Sequence, residues 1–271
     1  MDRDCPPETS APRPGRRACL AATLGAALGA GSQLTACASR PPALSLAGGE
    51  ALPAQRVEPF SGSLAGALPA GWLPFAMRRD LRQTRYAAMH HQGRGVLHAQ
   101  ASSSATGLRC AVNIDPMRQG RLHFSWQAPA VPAHSNVAEP EHDDCPARLV
   151  LAFDGDERRL PLRDRLFYEQ VELFTGHRLP FATLMYVWDG GQHAPESVHR
   201  NHRTQRIQYL AVESGNARTG QWLHYQRDVV ADYQRVFGEQ PGAITSVGVL
   251  TDGDALKLDL EAWYGDISLS A

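Results

Sequence analysis

Carboxylates recur beside turns in this chain, as Asp143-Asp144, Asp154-Gly155-Asp156 and Asp252-Gly253-Asp254. Acidic side chains spaced by one residue around a glycine can converge on a hard cation, and calcium takes about six to eight oxygens. Asp252 and Asp254 are the candidate calcium pair. The full alternating acidic loop that would make the pattern specific is absent, and Asp-Gly is equally the residue pair of a tight turn. No other cofactor is expected. Two carboxyls about 5 to 10 Å apart can also serve as acid and base in glycoside cleavage, and Asp144, Asp154, Asp189 and Glu213 are the groups an enzyme of that kind would draw on.

Aromatic side chains offer a second chemistry. Trp72, Trp126, Trp188, Trp222 and Trp263, with Tyr186 and Tyr264, could stack on the apolar faces of sugar rings while acids and arginines bind hydroxyls. Most of them are expected in the core, with about one in five facing a ligand. Histidines gather at His193, His199 and His202, and His142 stands beside Asp143 and Asp144. Their spacing matches no metal-ligand pattern. Cys110 and Cys145 either form one disulfide or pack as two free thiols, and spacing does not choose between them. The chain has no nucleophile elbow, phosphate loop or dinucleotide fingerprint.

These groups need elements to hold them. Short runs rich in β-branched, aromatic and alternating apolar residues recur between turn clusters at 84–91, 95–101, 108–114, 122–127, 148–153, 181–188, 206–213, 244–250 and 256–269. That rhythm predicts a mainly β chain folded as a single β-sandwich of jelly-roll or galactose-binding-like type. One or two short helices interrupt it. Val229, Val230, Tyr233, Val236 and Phe237 mark one helix face over 225–237, closed by Gly238, and Phe167, Val171 and Phe174 mark a weaker one over 165–174. The segment 128–147 is long enough to be a surface loop with a function.

The first 36 residues read as an export signal. Arg16-Arg17 precedes a mild apolar stretch that is too short and too rich in glycine and alanine to span a membrane. Leu34-Thr35-Ala36-Cys37 resembles the lipobox of bacterial lipoproteins, which implies that Cys37 is acylated. Ala38 behind it favours the outer membrane, facing the periplasm. Residues 37–56 would then be the lipidated cysteine and a flexible tether, and 57–271 one β-sandwich domain. The balance of 27 basic against 28 acidic side chains lacks the surplus that neutralises phosphates, so nucleic acid is not an expected partner.

From Gly120 to Leu269 the chain resembles the bacterial domain of unknown function 3047 family. The matching pieces are Phe124-Ser125-Trp126, Asp143-Asp144 with Pro146-Ala147-Arg148, Phe153-Asp154-Gly155 and Tyr186-Val187-Trp188-Asp189. Further on come Asn201 with Thr204 and Arg206, Val212-Glu213-Ser214-Gly215, Arg227-Asp228-Val229, Phe237-Gly238-Glu239, Asp252 with Asp254, and Tyr264-Gly265-Asp266-Ile267. Where the family continues Asp254 with Asn-Thr, this chain has Ala255-Leu256. The closing strand is also similar to that of galactose-binding-like jelly rolls. The resemblance brings no catalytic residues, but it singles out Asp143, Asp144, Arg148, Asp189, Asn201, Arg206 and Glu213, with Trp188 beside them, as candidates for one ligand site. Together these readings point to a membrane-tethered, non-catalytic domain that binds a carbohydrate or cell-envelope glycan. A glycan hydrolase and an envelope structural or assembly protein are the alternatives.

Overall fold

In the computed structural model, which describes residues 55–76 and 82–271, the described residues form thirteen strands and two α-helices. The leader, Cys37 and all but the end of the tether lie outside them. The strands are β1 (Trp72–Phe75), β2 (Arg85–His91), β3 (Arg94–Ser102), β4 (Gly107–Ile114), β5 (Arg121–Gln127), β6 (Cys145–Phe153), β7 (Ala182–Asp189), β8 (Val198–Arg200), β9 (Ile207–Ser214), β10 (Leu223–Asp228), β11 (Ile244–Asp252), β12 (Asp259–Tyr264) and β13 (Ser268–Ser270). One sheet runs β1-β4-β11-β6-β7-β9-β8, and the other runs β10-β5-β12-β3-β2 with β13 also on β5. All pairs are antiparallel except β7 with β9, which the excursion through β8 joins in parallel. The mainly β sandwich expected from the alternation is what forms.

The two sheets bury different patterns. In β4 every second side chain is buried, from Leu108 through Cys110 and Val112 to Ile114. In β6 and β7 nearly every side chain is buried, which requires cover on both faces. Leu149 of β6 pairs with Tyr186 of β7, whose ring lies 5.8 Å from Phe124 of the smaller sheet, so these residues face the interior of the sandwich. Arg148, one residue away, therefore faces outward from the larger sheet. Segment 128–144 covers it there. Val131, Ser135 and Val137 are buried, and Asn216 exchanges two hydrogen bonds with the backbone of Val131. The expected surface loop packs onto the sheet through these residues and leaves 129–130, 133–134 and 138–141 exposed.

Helix α1 (Leu162–Thr175) starts three residues earlier than the periodicity indicated and ends at Gly176, which takes a left-handed φ of 71°. Helix α2 (Val229–Phe237) starts later than expected. Asp228 caps it by accepting from Ala231 N, and residues 223–228 pair with β5 as a strand instead. The run 256–269 also divides. Asp266 leaves the ladder to accept hydrogen bonds from the backbone N–H groups of Phe60 and Ser61 and from the Ser61 hydroxyl, which ties the start of the domain to its end. Strands from either side of segment 128–147 share both sheets, and the described core runs from Val57 to Ile267.

Candidate functional site

The polar residues singled out from the sequence divide among separate structural arrangements. Arg148 is 2% exposed and lies between two acids. Its Nη2 donates to Asp143 Oδ1 at 2.9 Å, its Nε donates to Asp252 Oδ1 at 3.2 Å, and Asp252 Oδ2 stands 3.0 Å from Nη2. Tyr209 donates to Asp143 at 3.3 Å, and Asn201 Nδ2 donates to the Tyr209 hydroxyl at 3.0 Å. Burial alone would favour a neutral guanidine, but Asp143 and Asp252 outweigh it and hold Arg148 well above its usual value. Burial pushes the Asp252 carboxyl up to about 8 against the pull of Arg148, and it raises Asp143 in the same way. A cation between two acids in a dry setting is compensated best when the pair shares a single negative charge. The depression beside Asp143, bordered by Val137, Asn201 and Tyr209, encloses essentially no volume.

Asp252 is therefore the partner of Arg148 and of the Cys145 N–H, and does not join Asp254 around a cation. Among the described residues no cluster of three or more His, Cys, Asp or Glu side chains is arranged to hold a metal. Asp144 is fully buried and accepts from the backbone N–H groups of Ala255 and Leu256 at 3.0 and 2.7 Å. The departure at 255–256 is harmless for this purpose, because the turn offers its backbone rather than its side chains.

The remaining candidates also serve local structure. Asp189 is fully buried, and its Oδ2 accepts from the N–H groups of Gly191, Gln192 and His193, each at 3.0 Å. Glu213 accepts from Arg218 at 2.8 Å and from the Tyr225 hydroxyl at 3.0 Å. Arg206 donates to Glu239, Tyr233 and the Phe181 carbonyl, with its guanidinium 4.0 Å from the Phe181 ring centre. Trp188 is fully buried and donates to the Gly215 carbonyl at 3.0 Å. Arg206 precedes the first residue of β9 and Glu213 lies near its last, so the two stand at opposite ends of the larger sheet. Asp143, Arg148 and Asn201 come together with Asp252 and Tyr209, but the full set does not form one site.

The cysteines are not bonded. Cys110 and Cys145 are both buried and free. Cys110 pairs with Val247 and Cys145 with Asp252, on opposite sides of β11 and well apart along it, whereas a disulfide needs Cα atoms within about 7 Å. The Cys145 thiol donates instead to the Trp188 carbonyl at 2.7 Å. His193 and His199 meet with ring centres 3.8 Å apart, and burial followed by His193 lowers the His199 pKa.

An arrangement not evident from sequence lies on the outer face of the smaller sheet. Trp263 of β12 pairs across the ladder with His98 of β3 and with Gln127 of β5. Its indole stacks with His98 at 5.2 Å and with His91 at 4.3 Å, both with ring planes within 6°. His91 also meets Trp222 at 6.2 Å, and the Arg94 guanidinium lies 4.9 Å over the Trp222 ring. All four rings are half-buried, while Arg94 and Gln100 are exposed beside them. Glu261 bonds His98, and Gln127 bonds His91 at 2.8 Å. The indole N–H groups of Trp222 and Trp263 have no hydrogen-bond partner. Trp72, Trp126 and Trp188 are core, so the two tryptophans left near the surface belong to this one strip. The only signal in the sequence was alternation, which turns His98 and Trp263 outward strand by strand but does not bring them side by side.

The chain belongs to the family described as protein of unknown function DUF3047, whose model matches residues 70–268. No curated protein matches it. Among solved structures it is similar to the K3 cleaved adhesin domain of Lys-gingipain from Porphyromonas gingivalis, at 11% identity and TM-score 0.36 over 79% of this chain and 97% of that one. It is also similar to a family 30 carbohydrate-binding module of a Clostridium thermocellum cellulosomal cellulase, at 11% identity and TM-score 0.34 over 81% and 95%. A third similarity is to a family 29 carbohydrate-binding module mutant complexed with mannohexaose, at 9% identity and TM-score 0.33 over 81% and 94%.

Proposed function

We propose that this protein is a lipid-anchored envelope protein, held at the periplasmic side of the outer membrane through Cys37, whose β-sandwich binds a carbohydrate or cell-envelope glycan without turning it over. The supporting observation is the half-buried strip of His98, Trp263, His91 and Trp222 on the outer face of the smaller sheet. Such a strip offers apolar cover to the C–H face of a sugar, with Arg94, Gln100 and Glu261 at its border for hydroxyls. The two indole N–H groups are buried, so the indoles contribute ring surface rather than donors. The non-catalytic reading draws support from three of the four carboxylates considered for cleavage, because Asp144, Asp189 and Glu213 are each occupied in holding loops or neighbouring side chains, while the fourth, Asp154, is exposed and accepts from the Gly155 N–H.

A glycan array on residues 38–271, followed by titration of the best ligand and analysis for products, tests the proposal. Trp263→Ala and Trp222→Ala should each weaken binding about tenfold or more, equivalent to about 1.4 kcal/mol, with no product formed. Folded variants that bind as wild type, or a broad panel without a ligand, would overturn it.

A further inference from the structure

Helix α1 turns an apolar ridge toward solvent. Leu162 is 63% exposed, Leu166 55%, Leu173 81% and Phe174 77%, so four of the large exposed apolar side chains of the described residues sit on this one helix. At about 100° per residue the three leucines fall within an arc of roughly 40°. Asp164 and Tyr168 are buried on the opposite side of the helix, where Phe167 and Val171 pack against the core. The ridge therefore points directly away from the domain, and nothing described in the fold covers it. Arg163 and Arg165, both exposed, flank its first turns, Arg163 donating to the His202 carbonyl at 3.4 Å; exposed Glu169 borders the ridge within about 20° of Leu162, and Glu172 is paired with Arg178 at 3.2 Å.

We infer that this ridge docks the domain on the lipid leaflet, with its leucines entering the interface and Arg163 and Arg165 reaching headgroup phosphates. The inference rests on the membrane tether of the proposed function, and it is independent of glycan binding. Residues 38–55 reach at most about 60 Å when extended. A domain held that close meets the leaflet at high effective concentration, so a modest apolar ridge suffices for docking. A second copy of this chain is a poorer occupant. A stable interface buries about 800 Å² on each partner, and one row of three leucines with a bordering phenylalanine falls short of that. Membrane association carries no such threshold, since it grows with whatever apolar area enters and is supported by flanking arginines, whose stems stay in the apolar layer while their heads stay in water.

The experiment supplies the tether artificially, so failure of acylation at Cys37 and failure of docking give different results. Residues 38–271, which retain every residue of the described core, are given an N-terminal hexahistidine and held on phosphatidylethanolamine/phosphatidylglycerol vesicles carrying a nickel-chelating lipid. Leu166→Cys and Leu173→Cys are labelled with bimane, the native cysteines being buried. Leu64→Cys, at an 82% exposed apolar position outside the helix, is the reference. Brominated acyl chains should reduce emission at 166 and 173 at least twofold and leave 64 unchanged. Absence of quenching at 166 and 173, or equal quenching at 64, overturns the inference. Protection of the two labels in vesicle-free solution with a doubled mass would instead assign the ridge to a second copy and overturn it as well. Intact mass of the full chain from bacterial membranes reports separately on acylation.

Discussion

Replacing Arg148 with methionine tests the reading of the outer-face polar cluster as structural. The side chain is 2% exposed and compensates Asp143 and Asp252 at 2.9 to 3.2 Å. Its removal leaves the buried negative charge shared by the pair without its cation, a defect worth about 3–5 kcal/mol. In a domain of this size each kcal/mol moves Tm by about 2–4 °C, so a fall of roughly 6–20 °C is expected at pH 7. The sign of the pH dependence is fixed by the same groups. Asp252 titrates near 8 when folded against about 3.9 when unfolded. The folded state therefore holds the extra proton, and this stabilisation is fully present below pH 4 and lost as pH rises toward 8, by up to about 1.4 kcal/mol per pH unit. Without Arg148 both carboxyls move higher, so the variant should approach wild type near pH 4.5 and fall furthest behind it near pH 8. Arg148→Met combined with Asp143→Asn and Asp252→Asn should recover most of the loss, because no buried charge remains. Thermal melts across pH 4.5–8 provide the measurement. A pH-independent deficit, or a triple variant as unstable as the single, would refute the charge argument.

Gly190→Ala should cost about 1–3 kcal/mol in denaturant titrations, since its Cβ would run into the backbone carbonyls of Pro132 and Ser135 where the 128–144 segment crosses the end of β7. A neutral effect would mean that the segment is not seated there. Asp228→Ala should lower stability by about 1 kcal/mol through loss of the α2 cap, and an unchanged melting temperature would argue against it. Burial pushes the Cys145 thiol up to about 12 and raises Cys110, so in residues 38–271 an aromatic disulfide reagent should find no thiol in the native protein and two in denaturant. Reaction of one thiol before unfolding would contradict this.

Alternation with period two marks the inner and outer residues of β4 from the chain alone, while β6 was legible as a continuous apolar run covered on both faces. Helix α2 was legible for the same kind of reason, since Val229, Tyr233, Val236 and Phe237 lie on one face and Gly238 closes it. Helix α1 was fainter because its leucines face water rather than the core, so its apolar residues ring the helix without a single stripe. Strands β1, β8 and β10 are short and were not anticipated, and each is strand only because a longer neighbour offers it a ladder.

Register was the quantity hidden from the sequence. Trp263, His98 and Gln127 are far apart in the chain, and only the pairing of β12 with β3 and β5 puts them in one row. The acids and arginines could be named from the chain, but their partners could not. Arg148 meets Asp143 through a local turn and Asp252 only because β11 lies against β6. Residue type and period determine which way a side chain points within its own element, because backbone geometry repeats locally. Which elements adjoin, and therefore whether an aspartate holds a buried arginine or faces a cation, is decided by the tertiary structure, since burial and strand pairing are settled by contacts between distant segments.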